Sequence, residues 1–222
     1  MNLTTPKTIY LSEHARPPLR EYLSRGGYNL HFVTDSNITY PAVATHADLY
    51  YCRMGAGEYA EVFAGNPNEL GYDYPHNVKY NAVCLDHYFI HNLNHTSPAL
   101  LTIARAMGLE CIHVNQGYTK CNIVVVDGHS VITPDEGILR TLQNYPDIDT
   151  LPIHQGHVKL QDFPYGFLGG ASGRVGNEII FNGNLSCHPD FEKICEFIEN
   201  RGLSLQYFPA YQLEDIGSII AE

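Results

Sequence analysis

The chain contains no tryptophan, and no apolar run approaches the roughly 18 residues a membrane-spanning helix needs. Residues 1–6 are polar and lack the charged-then-apolar layout of a secretory leader. The expectation is a soluble, cytoplasmic protein with no membrane partner, and the sequons at Asn2, Asn37, Asn94 and Asn184 read as chance matches. Positive charge is scarce: 13 Lys and Arg stand against 24 Asp and Glu, a formal net charge of −11. No Lys/Arg cluster relieves that repulsion, so the expected partners do not include nucleic acid. The acidity favours solubility and a cationic or neutral small ligand. No two of the cysteines at 52, 84, 111, 121, 187 and 195 form a CxxC pair. A zinc knuckle is thereby disfavoured, and buried thiols in a reducing compartment are the plain reading.

What the sequence does have is a repeat. Residues 81–120 read NAVCLDHYFIHN, then SPALLTIARAMG, then ECIHVNQGYTK. Residues 121–159 read CNIVVVDGHSVIT, then PDEGILRTLQNYPD, then IDTLPIHQGHVK. Each gives an apolar strand, a turn, a second strand, a helix with Pro98 or Pro134 near its start, and a short strand ending in Gln-Gly. Units of about 40 residues sharing that order define a repeat architecture. A further unit runs from NEIIFNG through a helix over 189–200, with Phe191, Ile194, Cys195 and Ile198 on its apolar face, to LSLQYF. A degenerate unit starts at ADLYYCRMG, continues through EVFAGN into the Tyr/Asn/Pro-rich stretch 66–80, and carries no convincing helix. The C-terminal IGSIIA is a lone first strand, whereas residues 8–33 supply a strand, a helix and a strand without one. Together they complete a fifth unit, and pairing of the two ends would close a ring without exposed edges. The expected fold is an α+β, five-bladed α/β-propeller of ββαβ units, one domain over residues 1–222.

A five-unit ββαβ ring of this size resembles the pentein fold, the α/β-propeller of guanidino-group-modifying enzymes. That group includes arginine deiminase, dimethylargininase, glycine amidinotransferase and a non-enzymatic, ribosome-associated translation initiation factor. More closely, QGYTKCNIVVVD, SVITPDEGI, GFLGGASG, GNLSCHPDF and DIGSII resemble an uncharacterised bacterial family assigned to that fold, over roughly residues 40–222. The resemblance implies a fold; a shared fold does not carry an activity with it.

It also implies where chemistry would sit, because penteins gather the loops leading into each first strand around a central channel. Here those loops are 46–48, 79–81, 116–121, 169–177 and 214–218. Catalytic penteins use a cysteine against the guanidinium carbon, a histidine for proton transfer and carboxylates to clamp the cation. Cys121, His46, Asp48 and Asp215 supply those types, with His188 as a further candidate at a helix start. The order departs from the enzymes, which place the cysteine near the C-terminus, where this chain has Asp215-Ile216-Gly217-Ser218. Cys121 is then either a relocated nucleophile or a small buried residue at a strand start.

Two further features are read as structural. The glycines at 166, 169, 170, 173 and 176 are followed by a strand rather than a helix, so a turn or connecting loop is expected over a phosphate site. His87, His91 and His95 fall across a strand–turn–strand segment and read as scattered surface histidines; no zinc spacing emerges, and neither metal nor cofactor is expected. Two functions remain open. One is a guanidino-type small-molecule site with amidinohydrolase- or amidinotransferase-like chemistry and a Cys121 of lowered pKa. The other is a non-catalytic ring binding a ligand or a protein partner through a tyrosine-rich face, with residues 66–76 as a lid.

Overall fold

The computed structural model describes residues 7–57 and 60–222. The polar N-terminal stretch and the Asn2 sequon lie outside the described residues. The chain opens with β1 (Thr8–Ser12), α1 (Pro17–Arg25) and β2 (Asn29–Val33), followed by β3 (Tyr51–Met54) and β4 (Glu61–Ala64). Next come β5 (Val83–Cys84), β6 (Tyr88–His91), α2 (Pro98–Ala106) and β7 (Glu110–His113). A one-turn helix α3 (Thr119–Asn122) leads into β8 (Val124–Val125), β9 (Ser130–Thr133), α4 (Glu136–Leu142) and β10 (Asp149–Pro152). The chain continues with β11 (Ser172–Val175), β12 (Glu178–Phe181), α5 (Phe191–Glu199), β13 (Ser204–Gln206) and β14 (Ile220–Ala221).

These strands form five small sheets in an α+β arrangement. Three sheets share one plan: an antiparallel pair, then a helix, then a strand parallel to the second. The parallel step needs a crossover, and α2, α4 and α5 provide it. The chain's two ends build a fourth sheet of the same plan, with β14 antiparallel to β1 (Ile9 opposite Ala221) and β1 parallel to β2. Among the described residues the β3–β4 pair has neither an α-helix nor a third strand. The first strands also lie beside one another: β14 against β3 and β11, β3 against β5, and β8 against β11. Between them is a cavity of ≈30 Å³ lined from every sheet, by Arg53, Val83, Val125, Arg174 and Ile220 among others.

The helices are set by local chemistry. α2 carries proline at its start, where the missing N–H is no loss. α4 begins two residues later than Pro134 suggests, because the Asp135 side chain caps it by accepting from the Ile138 N–H at 2.8 Å. α5 begins at Phe191 and buries Ile194 and Ile198 fully, while Phe191 and Cys195 are half-buried.

Three expectations need correction. The glycine-rich stretch is not only a loop: residues 172–175 are β11, paired antiparallel to β12. Glycine is required there by close packing, since a Cβ on Gly173 would collide with the Ile219 carbonyl and one on Gly170 with the Asp215 carboxylate. Cys121 does not begin a strand but sits in α3, one turn before β8. His91 is not a surface residue. It is fully buried in β6, with Nε2 on the Gly117 carbonyl at 3.1 Å and Nδ1 on the Thr96 hydroxyl at 2.7 Å. A strand covered on both faces buries every side chain, and two satisfied ring nitrogens make that tolerable for an imidazole.

Candidate functional site

The segments leading into the five first strands meet at one place. From the segment before β3, extended His46 precedes a 3-10 turn over Ala47–Leu49 that aims Asp48 inward. The Asp48 N–H is tied to the Gly217 carbonyl at 3.0 Å, which joins this segment to the one before β14. From before β5, Asn81 accepts on Oδ1 from the N–H groups of Lys120 (2.8 Å) and Cys121 (3.3 Å). Its Nδ2 donates to Cys121 Sγ at 3.3 Å. From before β11, Gly170 donates its N–H to the Cys121 carbonyl and accepts from the N–H groups of Ile216 and Ser218. Every segment is thereby pinned to a neighbour by main-chain or carboxamide bonds, the arrangement that holds side chains to a fixed geometry.

At the centre, the Cys121 thiol donates to Asp48 Oδ2 at 3.0 Å, and the Ser218 hydroxyl donates to the same oxygen at 2.6 Å. Lys120 Nζ donates to Ser218 Oγ (3.1 Å) and the Gly169 carbonyl (3.2 Å), completing a Lys120–Ser218–Asp48–Cys121 chain. Ser218 holds this place in the left-handed region, φ 68°, uncommon for a residue with a side chain. Asp215 accepts the N–H groups of Phe167 (2.9 Å) and Gly217 (3.0 Å), and its Oδ1 lies 3.8 Å from His46 Nδ1. Among the described residues, His46 Nδ1 and Asp48 Oδ1 are buried without a hydrogen-bond partner. Leaving such atoms unpaired is unfavourable by about 1–3 kcal/mol each, so they are outstanding features of the site.

Burial governs the ionisation. It pushes the Cys121 thiol well above its ordinary value, and the carboxylates of Asp48 and Asp215 add to the rise. The expected low-pKa cysteine is therefore not what the resting site holds. Burial also raises Asp48, with His46 and the bonds from Ser218 and Cys121 acting against it. Asp215 is pushed up to about 6 by burial, against the pull of its two N–H donors and Lys120. His46 is lowered to about 4 by burial and is neutral at pH 7. Lys120 is lowered by burial, opposed by Asp48, Cys121 and Asp215.

His46 and Asp215 line a pocket of ≈300 Å³ with Ser12, His14, Arg16, Lys159 and Glu214 among its walls. That volume sits at the lower end of the ~300–1,000 Å³ of small-molecule sites. Glu214 pairs with Arg16 (2.9 Å) and Lys159 (3.5 Å), so the wall cations are neutralised in place. Beyond Cys121 the same segment carries Tyr118, whose hydroxyl bonds Tyr40 (2.7 Å) and Asn77 (2.9 Å). Tyr74, half exposed, packs beside Tyr118 with ring centroids 5.5 Å apart, so part of the 66–80 stretch does lie over this segment.

Of the five residues singled out by sequence, His46, Asp48, Cys121 and Asp215 come together and His188 does not. His188 is bonded to the His154 carbonyl at 3.2 Å, stacks edge-on with His157 and faces Asp190, a separate cluster at the start of α5. Asn81, Lys120 and Ser218 complete the site and were not singled out, although all three lie in the segments leading into first strands. Position, rather than residue type, was the signal for them.

Neither a curated protein nor a solved structure matches the chain. The profile of one family spans residues 58–220, which takes in Asn81, Lys120, Cys121, Asp215 and Ser218 and leaves His46 and Asp48 outside. The chain belongs to that family, a family of unknown function, DUF6873.

Proposed function

We propose that the chain is a five-bladed α/β-propeller of the pentein type, and that its central site binds a small amidino or guanidino compound and turns it over through Cys121. The ring is supported by four sheets of one strand plan, the pairing of the chain's two ends and the cavity lined from every sheet. The chemistry rests on one observation. The Cys121 thiol donates to Asp48, whose other oxygen is unpartnered, and lies within 4.8 Å of a ligand atom of His46 and of Asp215, two residues that line a pocket.

A planar cation with N–H groups fits such atoms. Asp48 Oδ1 and Asp215 accept from it, while the charge of the cation offsets that of the two carboxylates. An opposite charge within about 4–6 Å lowers an acid's pKa by roughly 1–3 units, so the bound cation itself eases ionisation of the thiol. Asp48 Oδ2 takes the thiol proton, and the sulfur bonds to the amidino carbon. The carbon–nitrogen bond to the departing amine then breaks as that nitrogen gains a proton, and water releases the product from sulfur. Lys120 and Ser218 hold Asp48 in the orientation the transfer needs.

A second reading, a ring that binds such a ligand without turnover, is favoured by the raised thiol pKa in the resting site. Calorimetry and ammonia release over a panel of guanidino compounds separate the two. With turnover, Cys121→Ser abolishes product while retaining binding, and Asp215→Asn weakens binding tenfold or more. Affinity also falls as pH drops below about 6, where Asp215 gains its proton and ceases to be an anion. Undiminished turnover in Cys121→Ser would overturn the nucleophile.

A further inference from the structure

His46, Cys121 and Asp215 come from three different repeat units, yet each presents one ligand atom within 4.8 Å of the other two. The donors are an imidazole nitrogen, a sulfur and a carboxylate oxygen. That set suits a borderline-soft ion such as Zn²⁺, whereas Mg²⁺ and Ca²⁺ prefer oxygen alone. A second observation points the same way: His46 is 97% buried, its Nδ1 has no hydrogen-bond partner, and it faces Asp215 Oδ1 at 3.8 Å. That separation is too long for a hydrogen bond and about 0.5 Å wider than the ~3.3 Å between two nitrogen or oxygen ligands of a tetrahedral zinc, a gap that small side-chain shifts close.

We infer that His46 Nδ1, Cys121 Sγ and Asp215 Oδ1 form a binding site for a zinc-type divalent cation. The inference goes beyond the guanidino reading and does not require turnover. Charge supports it. A thiolate and the Asp215 carboxylate balance the dication, while Asp48 is left facing the Lys120–Ser218 chain. Binding replaces the sulfur–hydrogen bond by a sulfur–metal bond, and the thiol proton leaves by way of Asp48, 3.0 Å away, to solvent. Phe167 and Gly217 hold the Asp215 carboxylate with their N–H groups, the outer support that ligating carboxylates require. His46 and Asp215 also line a pocket, which offers the ion a way in. Because the ion takes the sulfur, it excludes attack by Cys121, so ion and amidino compound compete for the site.

The sequence carries no hint of this, since the three ligands lack any short spacing and only the packing of three segments unites them. The test is titration of chelator-treated full-length protein with Zn²⁺, and with Co²⁺ as a spectroscopic probe. One Zn²⁺ per chain and one released proton are expected, together with a thiolate-to-cobalt charge-transfer band. Mg²⁺ should not displace the cobalt. Cys121→Ser removes the band. His46→Ala and Asp215→Asn weaken Zn²⁺ binding by at least the ~10–100-fold that loss of an outer-shell partner produces. The wild-type band and proton count need no variant, so a variant that fails to fold leaves the test intact. Absence of the band in wild type, or its loss in Cys187→Ser rather than Cys121→Ser, overturns the inference. No guanidino compound enters this experiment, so its failure and that of the guanidino reading are told apart.

Discussion

At the scale of single residues, the protein buries groups that usually face water, and ionisation follows. His91 is the simplest case, enclosed between Gly117 and Thr96 and lowered to about 4 by burial. An unfolded histidine takes up its proton near 6.5, whereas folded His91 stays neutral until about 4. The unfolded chain therefore binds more protons within that window, and stability rises with pH there. His46 acts with the same sign. Asp215, raised to about 6, acts with the opposite sign between its unfolded value and 6, as does Asp48, also raised by burial, and the two partly offset the histidines. Denaturant midpoints should fall on acidification from pH 6.5 toward 4, with His91 contributing up to about 3 kcal/mol. His91→Gln should flatten that fall, and an unchanged pH profile in the variant would show that His91 titrates normally.

At the scale of elements, the sequence was most readable where period and punctuation agree. The strand–strand–helix–strand order of 81–120 and 121–159 stood out because strand alternation gives way to helical spacing after a turn. Pro98 then starts α2 and Asp135 caps α4. It was least readable where packing overrules local preference. β11 hides in Ser172-Gly173-Arg174-Val175, a poor strand by composition, because only glycine lets Ile219 come so close. Cys121 sits in a helical turn because Asn81 holds the N–H groups of residues 120 and 121, a bond made across units. α5 provides a quantitative check. Ile194 is fully buried against a core that includes Ile179, Phe181 and Leu185. Ile194→Ala should lower unfolding free energy by about 2–5 kcal/mol, read by denaturant melts. A change under 1 kcal/mol would contradict the packing of α5 on β12.

At the scale of the whole molecule, the site exists only because distant segments meet. Asp48 and Ser218 share a hydrogen bond, Asn81 binds Cys121, and Gly170 binds both the Cys121 carbonyl and the segment before β14. Four of its residues were named from sequence because the resemblance supplied their places. Their mutual geometry, the unpartnered atoms and the raised thiol were beyond reach, since each depends on neighbours far along the chain. The last segment supplies both a strand of the fold and two residues of the site. Deleting residues 215–222 removes β14 from β1 along with Asp215 and Ser218. Loss of a cooperative thermal transition is expected, whereas a sharp melt near the wild-type temperature would show that the ends do not close the fold.

The central claim, a thiol set among carboxylates that await a cation, is tested most directly by two electrophiles of matched shape. Chloroacetamidine is cationic and chloroacetamide is neutral. Alkylation of Cys121, followed by peptide mass spectrometry on chelator-treated protein, should be saturable and at least tenfold faster with the amidine. Exposed Cys187 serves as the internal reference and should show no such preference. Equal rates at Cys121 for the two reagents, or preference for the neutral one, would contradict the account.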